Sequence, residues 1–289
     1  MRKFCIAPMM ERTDRHERYF LRCISKRSYL YTEMIHCNAI LFGQKEPLLK
    51  YSSSEHPLAI QLGGSDPGKL SECSVIAEEI GYKEVNLNIG CPSQRVQNGS
   101  FGAILMKEPK IVAKCIKSMM KSVNIPITIK CRIGVDDMCE KEDLKRFIQI
   151  NHDQGVNTFI VHARKAWLKG LNPKQNREVP PLNYERVYRL KEEFPEAEII
   201  INGGIKSIEE SKFHLNYIDG VMMGREAYDN PYILKDVDHE IFGELLKEPS
   251  REDILTRILP YIEMEVKEGI SIQNITRHLM GLYKGTSIA

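Results

Sequence analysis

Cys91 is the residue of greatest chemical promise in this chain. It stands in Asn88-Ile89-Gly90-Cys91-Pro92, where Gly90 permits a tight turn and Pro92 biases the residue before it toward extended backbone. A thiol ordinarily keeps its proton at neutral pH and can serve as a general acid. The bland alternative is a small apolar filler, which is how most of the other seven cysteines read. Lys130 lies in an apolar run, where an ammonium is costly unless compensated. It could stabilise negative charge on a reduced flavin ring, or form the Schiff base of an aldolase. His162 could bond the same cofactor or be a satisfied structural histidine. Asn202-Gly203-Gly204 and Gly224-Arg225 combine glycine backbone, which allows close approach, with a guanidinium that grips phosphate in bidentate fashion; singly, each is also an ordinary turn. From His162 through Arg164, Lys165, Trp167 and Lys169 to Lys174 and Arg177 no acidic residue occurs. Cations around the only tryptophan suit phosphate and base contacts on a nucleic acid, the rival being a solvated basic loop. Arg12, Arg15, His16 and Arg18 would extend that patch if they face the same rim.

These residues need a scaffold that brings them together. Short apolar runs occur at Phe4 to Pro8, Tyr29 to Glu33, Leu58 to Leu62, Val85 to Ile89, Ile127 to Cys131, Thr158 to Val161, Ile199 to Ile201 and Gly220 to Met223. Each has the texture of a parallel strand buried on both faces. Amphipathic stretches lie between them; Lys110 to Lys121 puts Ile111, Val112, Cys115, Ile116 and Met119 on one face. Eight such β/α units predict a (β/α)8 TIM barrel. A doubly wound sheet is disfavoured because GxGxxG does not follow the first strand. In a barrel the chemistry gathers at the C-terminal strand ends, where Ala7-Pro8-Met9, Gln61, Asn88, Lys130, His162, Asn202 and Gly224 all fall. Loops after strands seven and eight often bind phosphate, which raises the reading of the two glycine segments. Gly99 and Gly102 flank a loop that could close as a lid. Past about residue 238 the strand texture ends. Ser250 and Asp253 form a capping box for a helix carrying Ile254, Leu255, Ile258, Leu259 and Ile262. Ile272, Ile275, Leu279 and Leu282 suggest a second helix. The expected organisation is a barrel over 1–238 and a small all-helical C-terminal domain over 239–289.

Composition narrows the function. The chain has 289 residues, with 41 Lys and Arg against 39 Asp and Glu. That balance implies a local rather than global surface for any polyanion. The eight cysteines include no CxxC pair, so no metal site is expected. No apolar stretch has the length of a membrane span, and Met1 to Asp14 turns charged before a signal-peptide core could form, which reads as cytoplasmic.

The stretches APMMERTDRHERYF, LYTEMI, AIQLGGSDP, EVNLNIGCPSQRVQNGSFGA, HARKAWLKGLNPKQNREVPPL, INGGIKS and DGVMMGREAYDNP together resemble the tRNA-dihydrouridine synthase family, A-type subfamily. The resemblance implies an FMN-dependent barrel and a helical domain that reduce D-loop uridines of tRNA, at positions 20 and 20a, with NADPH. It implies that Ala7, Pro8, Met9, Gln61, Lys130, His162, Asn202, Gly203, Gly204, Gly224 and Arg225 hold FMN. Cys91 is then the proton donor, Asn88, Arg164 and Lys165 lie near the substrate, and Lys174 and Arg177 orient the tRNA. The resemblance also implies a shortened C-terminal end, since the family continues into a further basic helix, and a monomer acting on tRNA without metal or membrane. The rivals are a flavin reductase of free pyrimidines, a Lys130-dependent lyase or isomerase, and a silent tRNA-binding protein.

Overall fold

The computed structural model describes residues 2–245 and 247–286. Eight strands, β1 (Phe4–Ile6), β2 (Leu30–His36), β3 (Leu58–Gly63), β4 (Glu84–Asn88), β5 (Ile127–Arg132), β6 (Thr158–His162), β7 (Glu198–Asn202) and β8 (Gly220–Met223), form one parallel sheet. β1 pairs with β8. Ile6 N–H donates to Tyr29 O and Tyr29 N–H to Phe4 O, both at 2.9 Å, which joins β1 to the start of β2 and closes the barrel. The expected TIM barrel is present. Alternation along the strands sends Cys5, Tyr31, Ala59, Ile160, Ile200 and Met222 inward, while Phe4, Ile60, Val85 and Ile129 pack under the helices.

The helix Pro109–Ser122 buries Val112, Cys115, Ile116 and Met119 but leaves Ile111 exposed. After the barrel, the Ser250/Asp253 capping box opens the helix Arg251–Lys267. Its inner face is Ile254, Ile258, Tyr261 and Ile262, and Leu259 points outward. The second helix is shorter than the apolar spacing predicts: Ile272–Thr276 gives way to a 3-10 turn at Leu279–Gly281. Gly281 lies against Pro231 and the Asp229 carbonyl, where a Cβ would sit within 2.8 Å. The chain must therefore turn onto the barrel rather than continue its helix, and Ile272 is left outside. Ser287 to Ala289, where a shortened end is implied, lie outside the described residues.

Asp14 ties this C-terminal segment to the barrel. It caps the helix Arg15–Ile24 by accepting from the His16 and Glu17 N–H groups. It also pairs with Arg277 at 2.6 Å and with the buried His278 at 3.1 Å. His278 meets Glu17 on its other nitrogen at 3.2 Å. The bonds to Asp14 and Glu17 outweigh burial and raise His278 to about 9, while burial pushes Glu17 up to about 7 despite the histidine. An unfolded histidine titrates near ~6.5. The stability it contributes is therefore complete below about pH 6.5 and lost as pH rises toward 9, and the raised Glu17 acts in the same direction between ~4.5 and 7. Urea unfolding is expected to show wild-type stability falling by on the order of 2–3 kcal/mol between pH 6.5 and 9, with His278→Gln flattening the slope. An equal slope in the variant would remove His278 from this role.

Candidate active site

A cavity of about 2050 Å³ occupies the C-terminal mouth of the barrel, roughly twice or more the ~300–1,000 Å³ of a single small-ligand pocket. Ala7, Pro8 and Met9 line it beyond β1, Gln61 in β3, Asn88 and Cys91 at the end of β4, and Lys130 and His162 in β5 and β6. Asn202, Gly203 and Gly204 follow β7, and Gly224 and Arg225 follow β8. Arg164 and Arg177 reach the same space from the loop after β6. Lys165 and Lys174 are not among its walls. The Lys165 ammonium donates to Met138 O at 2.7 Å and lies over Trp167, and Lys174 is exposed at the start of the 3-10 turn Gln175–Arg177.

The backbone of the Cys91 turn is held chiefly by side chains. Asn88 Oδ1 accepts from Gly90 N–H at 3.1 Å and Cys91 N–H at 3.0 Å. Asn88 Nδ2 donates to Gln61 Oε1 at 2.8 Å. The buried Arg132 grips the same turn: its Nε donates to Gly90 O at 2.9 Å, and its Nη1 donates to Lys165 O and Asn176 O at 3.0 Å each. Asn176, fully buried, bonds both the N–H and C=O of Trp167. The basic loop is therefore a folded arch pinned to the Cys91 turn. The loop read as a lid is likewise packed down: Ala103 N–H donates to Cys91 O at 2.9 Å, and Gly102 (φ +71°) sits where a Cβ would meet Val96 and that same carbonyl.

The floor of the cleft is electron-poor. Burial and the neighbouring Arg132 push Lys130 down to about 8. His162 is pushed well below its usual range by burial, Arg132 and Lys130, which favours its neutral form. Lys130 Nζ donates to Asn202 Oδ1 at 3.1 Å, and Asn202 is oriented by donating to Met222 O at 2.8 Å. No carboxylate hydrogen-bonds the Lys130 or Arg132 side chain among the described residues, so a ligand that accumulates negative charge fits this floor. At the phosphate end, the N–H groups of Gly203, Gly204, Gly224 and Arg225 take no backbone acceptor among the described residues. A Cβ on Gly203 would strike His162, and one on Gly204 would strike Leu182 and Tyr184. Free N–H groups, glycine backbone and a guanidinium suit a phosphate, so the residues present fit a flavin mononucleotide.

Two features were not legible in sequence. Glu178, the residue immediately after the acid-free loop's last turn residue Arg177, pairs with Arg225 at 2.7 Å. Arg277, from the C-terminal segment, also lines the cavity. Conversely, the cations near β1 are mostly spent internally. Arg18 is buried against Glu55 at 2.7 Å, Arg15 pairs with Glu265, and His16 bonds Tyr261. Arg12 stacks on Tyr228 with its guanidinium 4.6 Å from the ring centre.

A cleft with an unpaired thiol, a depressed lysine and a phosphate-ready loop pair, at the C-terminal face of a TIM barrel, defines the class as a barrel enzyme that works with a bound cofactor. The sequence profile described as Dihydrouridine synthase (Dus) matches residues 5–289. The chain is 54% identical over 284 residues to the tRNA-dihydrouridine(20/20a) synthase of Escherichia coli (strain K12), covering 98% of this chain and 82% of that protein. The protein of the same description from Shewanella oneidensis is 53% identical over 284 residues, covering 98% and 84%. That from Synechocystis sp. is 51% identical over 280 residues, covering 97% and 84%. Among solved structures, a 2-naphthoyl-CoA reductase complex superposes with a TM-score of 0.60 at 10% identity, over 81% of this chain and 49% of that one, and so shares the fold. The chain belongs to the dihydrouridine synthase family.

Proposed function

We propose that this protein is an FMN-dependent tRNA-dihydrouridine synthase that reduces the C5–C6 double bond of D-loop uridines, at positions 20 and 20a, with NADPH as reductant. The observation that carries the reading is one cleft that holds the Cys91 thiol, Lys130 beside His162, and the glycine cradle at β7 and β8. FMN would be held by Ala7, Pro8, Met9, Gln61, Lys130, His162, Asn202, Gly203, Gly204, Gly224 and Arg225, and when bound would supply the hydride that adds to C6 of uracil. Lys130 stabilises the charge that the reduced ring carries. Cys91 holds the proton delivered to C5, where the negative charge left by hydride addition is shared with the C4 carbonyl. Asn88 and Arg164 orient the uracil, which must leave the tRNA fold to reach the floor. Lys165, Lys174 and Arg177 lie on the arch beside this entrance and serve the tRNA backbone and its orientation. Residues 239–289 form a helical domain that brings Arg277 to the same rim. The protein acts as a monomer in the cytoplasm.

The first test is direct. Purified protein should show flavin absorption bands, release FMN on denaturation, and form dihydrouridine in unmodified tRNA but not in free uridine. A colourless protein in which borohydride traps substrate on Lys130 would overturn the assignment. Lys174→Glu combined with Arg177→Glu should weaken tRNA turnover by tenfold or more, the cost of about two phosphate contacts, at unchanged flavin content; loss of flavin would misplace the arch.

A further inference from the structure

The barrel interior beneath Cys91 is polar, and its polar groups are joined in one file. Below the loop N–H groups held by Asn88, Asn88 Nδ2 donates to Gln61 Oε1 at 2.8 Å and Gln61 Nε2 donates to Asn86 Oδ1 at 2.7 Å. Asn86 Nδ2 then donates to Thr128 Oγ1 at 2.8 Å, and the Thr128 hydroxyl donates to Glu84 Oε1 at 2.5 Å. Glu84 Oε2 accepts from Arg2 Nε at 2.6 Å. Five side chains from β3, β4 and β5, none more than 9% exposed, thus run from the Cys91 turn to an ion pair at the opposite end of the barrel.

Every bond in the file points the same way, and the end of the file dictates that direction. A carboxylate only accepts and a guanidinium only donates. The one proton of Thr128 is committed to Glu84, so Thr128 offers Asn86 a lone pair. Asn86 must then present its NH₂ downward and its oxygen upward, and Gln61 must do the same. That leaves Gln61 Oε1 for Asn88 Nδ2, and Asn88 Oδ1 for the two loop N–H groups. Flipping any one amide would set donor against donor or acceptor against acceptor in a buried site, and such networks strengthen or fail as a unit.

We infer that Glu84, Thr128 and Asn86 are positioning residues for the reaction: their charge-terminated file fixes the amide orientations of Gln61 and Asn88 and, through Asn88 Oδ1, the turn that carries Cys91. None of the three lines the cleft. The inference rests on the reading of Cys91 as proton donor, and on Gln61 facing the flavin.

The test severs the file without changing its volume. Thr128→Val removes the hydroxyl, and Thr128→Ser returns it. Thr158→Val is the control, removing a hydroxyl outside the five side chains: it donates to Glu198 Oε2 at 2.8 Å, and Glu198 meets the file only through Arg2, beyond the last acceptor Glu84. In flavin-free protein, Thr128→Val should raise amide hydrogen exchange at Gly90 and Cys91 about tenfold and speed alkylation of Cys91 relative to the exposed Cys139. In the flavin-loaded enzyme it should lower kcat about tenfold at unchanged KM for tRNA. Thr128→Ser and Thr158→Val should match wild type in all three. Should Thr128→Val fail to fold, Glu84→Gln, which replaces an obligate acceptor with an amide of either polarity, carries the same expectations. Wild-type exchange in the severed protein, or equal losses in Thr158→Val, would overturn the positioning role. If wild-type enzyme does not reduce tRNA, the reading of Cys91 falls, while the exchange comparison still decides the file.

Discussion

Flavin-loaded Cys91→Ala is expected to accept electrons from NADPH at the wild-type rate and to reduce tRNA uridine at least about 10²-fold more slowly, the range of one general acid. The separation of effects follows from where the thiol sits. Cys91 belongs to the turn beyond β4, whereas the candidate flavin contacts Lys130, His162 and Gly203 stand on β5, β6 and beyond β7. The turn itself is held by its backbone, through Asn88 Oδ1 and Arg132, so truncation to alanine leaves its course intact. The hydrogen-bond partner of Cys91 Sγ among the described residues is the Ser93 hydroxyl at 3.6 Å, a far weaker acid than a thiol, so it does not replace the lost donor. Cys91→Ser should recover little for the same reason. Stopped-flow measurement of the two half-reactions checks the prediction. Unimpaired oxidation by tRNA in Cys91→Ala would remove the residue from catalysis.

The barrel was legible because its strands carry local evidence: a short apolar run, in most cases rich in Ile, Val or Leu, reads the same whatever surrounds it. β4 delivering Asn88 and Cys91, and β7 delivering Asn202 to Gly204, needed only local pattern and strand counting. What stayed hidden depended on contacts between distant segments. Arg132 shares the β5 face of Lys130, yet nothing in its neighbourhood announces that three loop carbonyls await its guanidinium. The basic residues near β1 looked like a surface patch because Glu55 and Glu265, which neutralise Arg18 and Arg15, lie 37 and 250 positions away. The end of the helix Ile272–Thr276 was invisible for the same reason: the apolar spacing continues to Leu282, but Gly281 docks on Pro231 and bends the path. Polar inward residues such as Asn86 and Thr128 break the apolar pattern of their strands, and only their mutual distances make them a file.

Gly203→Ala is expected to yield a folded but nearly colourless protein whose apparent Kd for FMN is at least about 10²-fold weaker. Gly203 has φ +118°, a conformation that L side chains rarely adopt, and its Cβ would lie 2.5 Å from His162 Cδ2 and 3.1 Å from Leu182 Cδ2. His162 is the last residue of β6 and pairs with Asn202 across the sheet, so its ring has little room to retreat. Either the ring is driven into the cleft or the loop after β7 is displaced, and both outcomes spoil the face that would receive the cofactor. Backbone strain of about 1–3 kcal/mol and overlap of about 1–3 kcal/mol together reach the stated loss, since 1.4 kcal/mol is a factor of ten. Arg225→Gln isolates the phosphate from the ring. Its guanidinium is partly exposed and shared with Glu178, so its removal should leave the fold alone and weaken FMN about tenfold, as for one charge-assisted bond, while riboflavin, which lacks the phosphate, binds as to wild type. Fluorescence quenching on flavin-free protein, with circular dichroism to establish folding, measures both. Wild-type FMN affinity in Gly203→Ala would mean that the cofactor lies elsewhere than against β6 and β7, and equal losses of FMN and riboflavin in Arg225→Gln would move the phosphate away from the loop after β8.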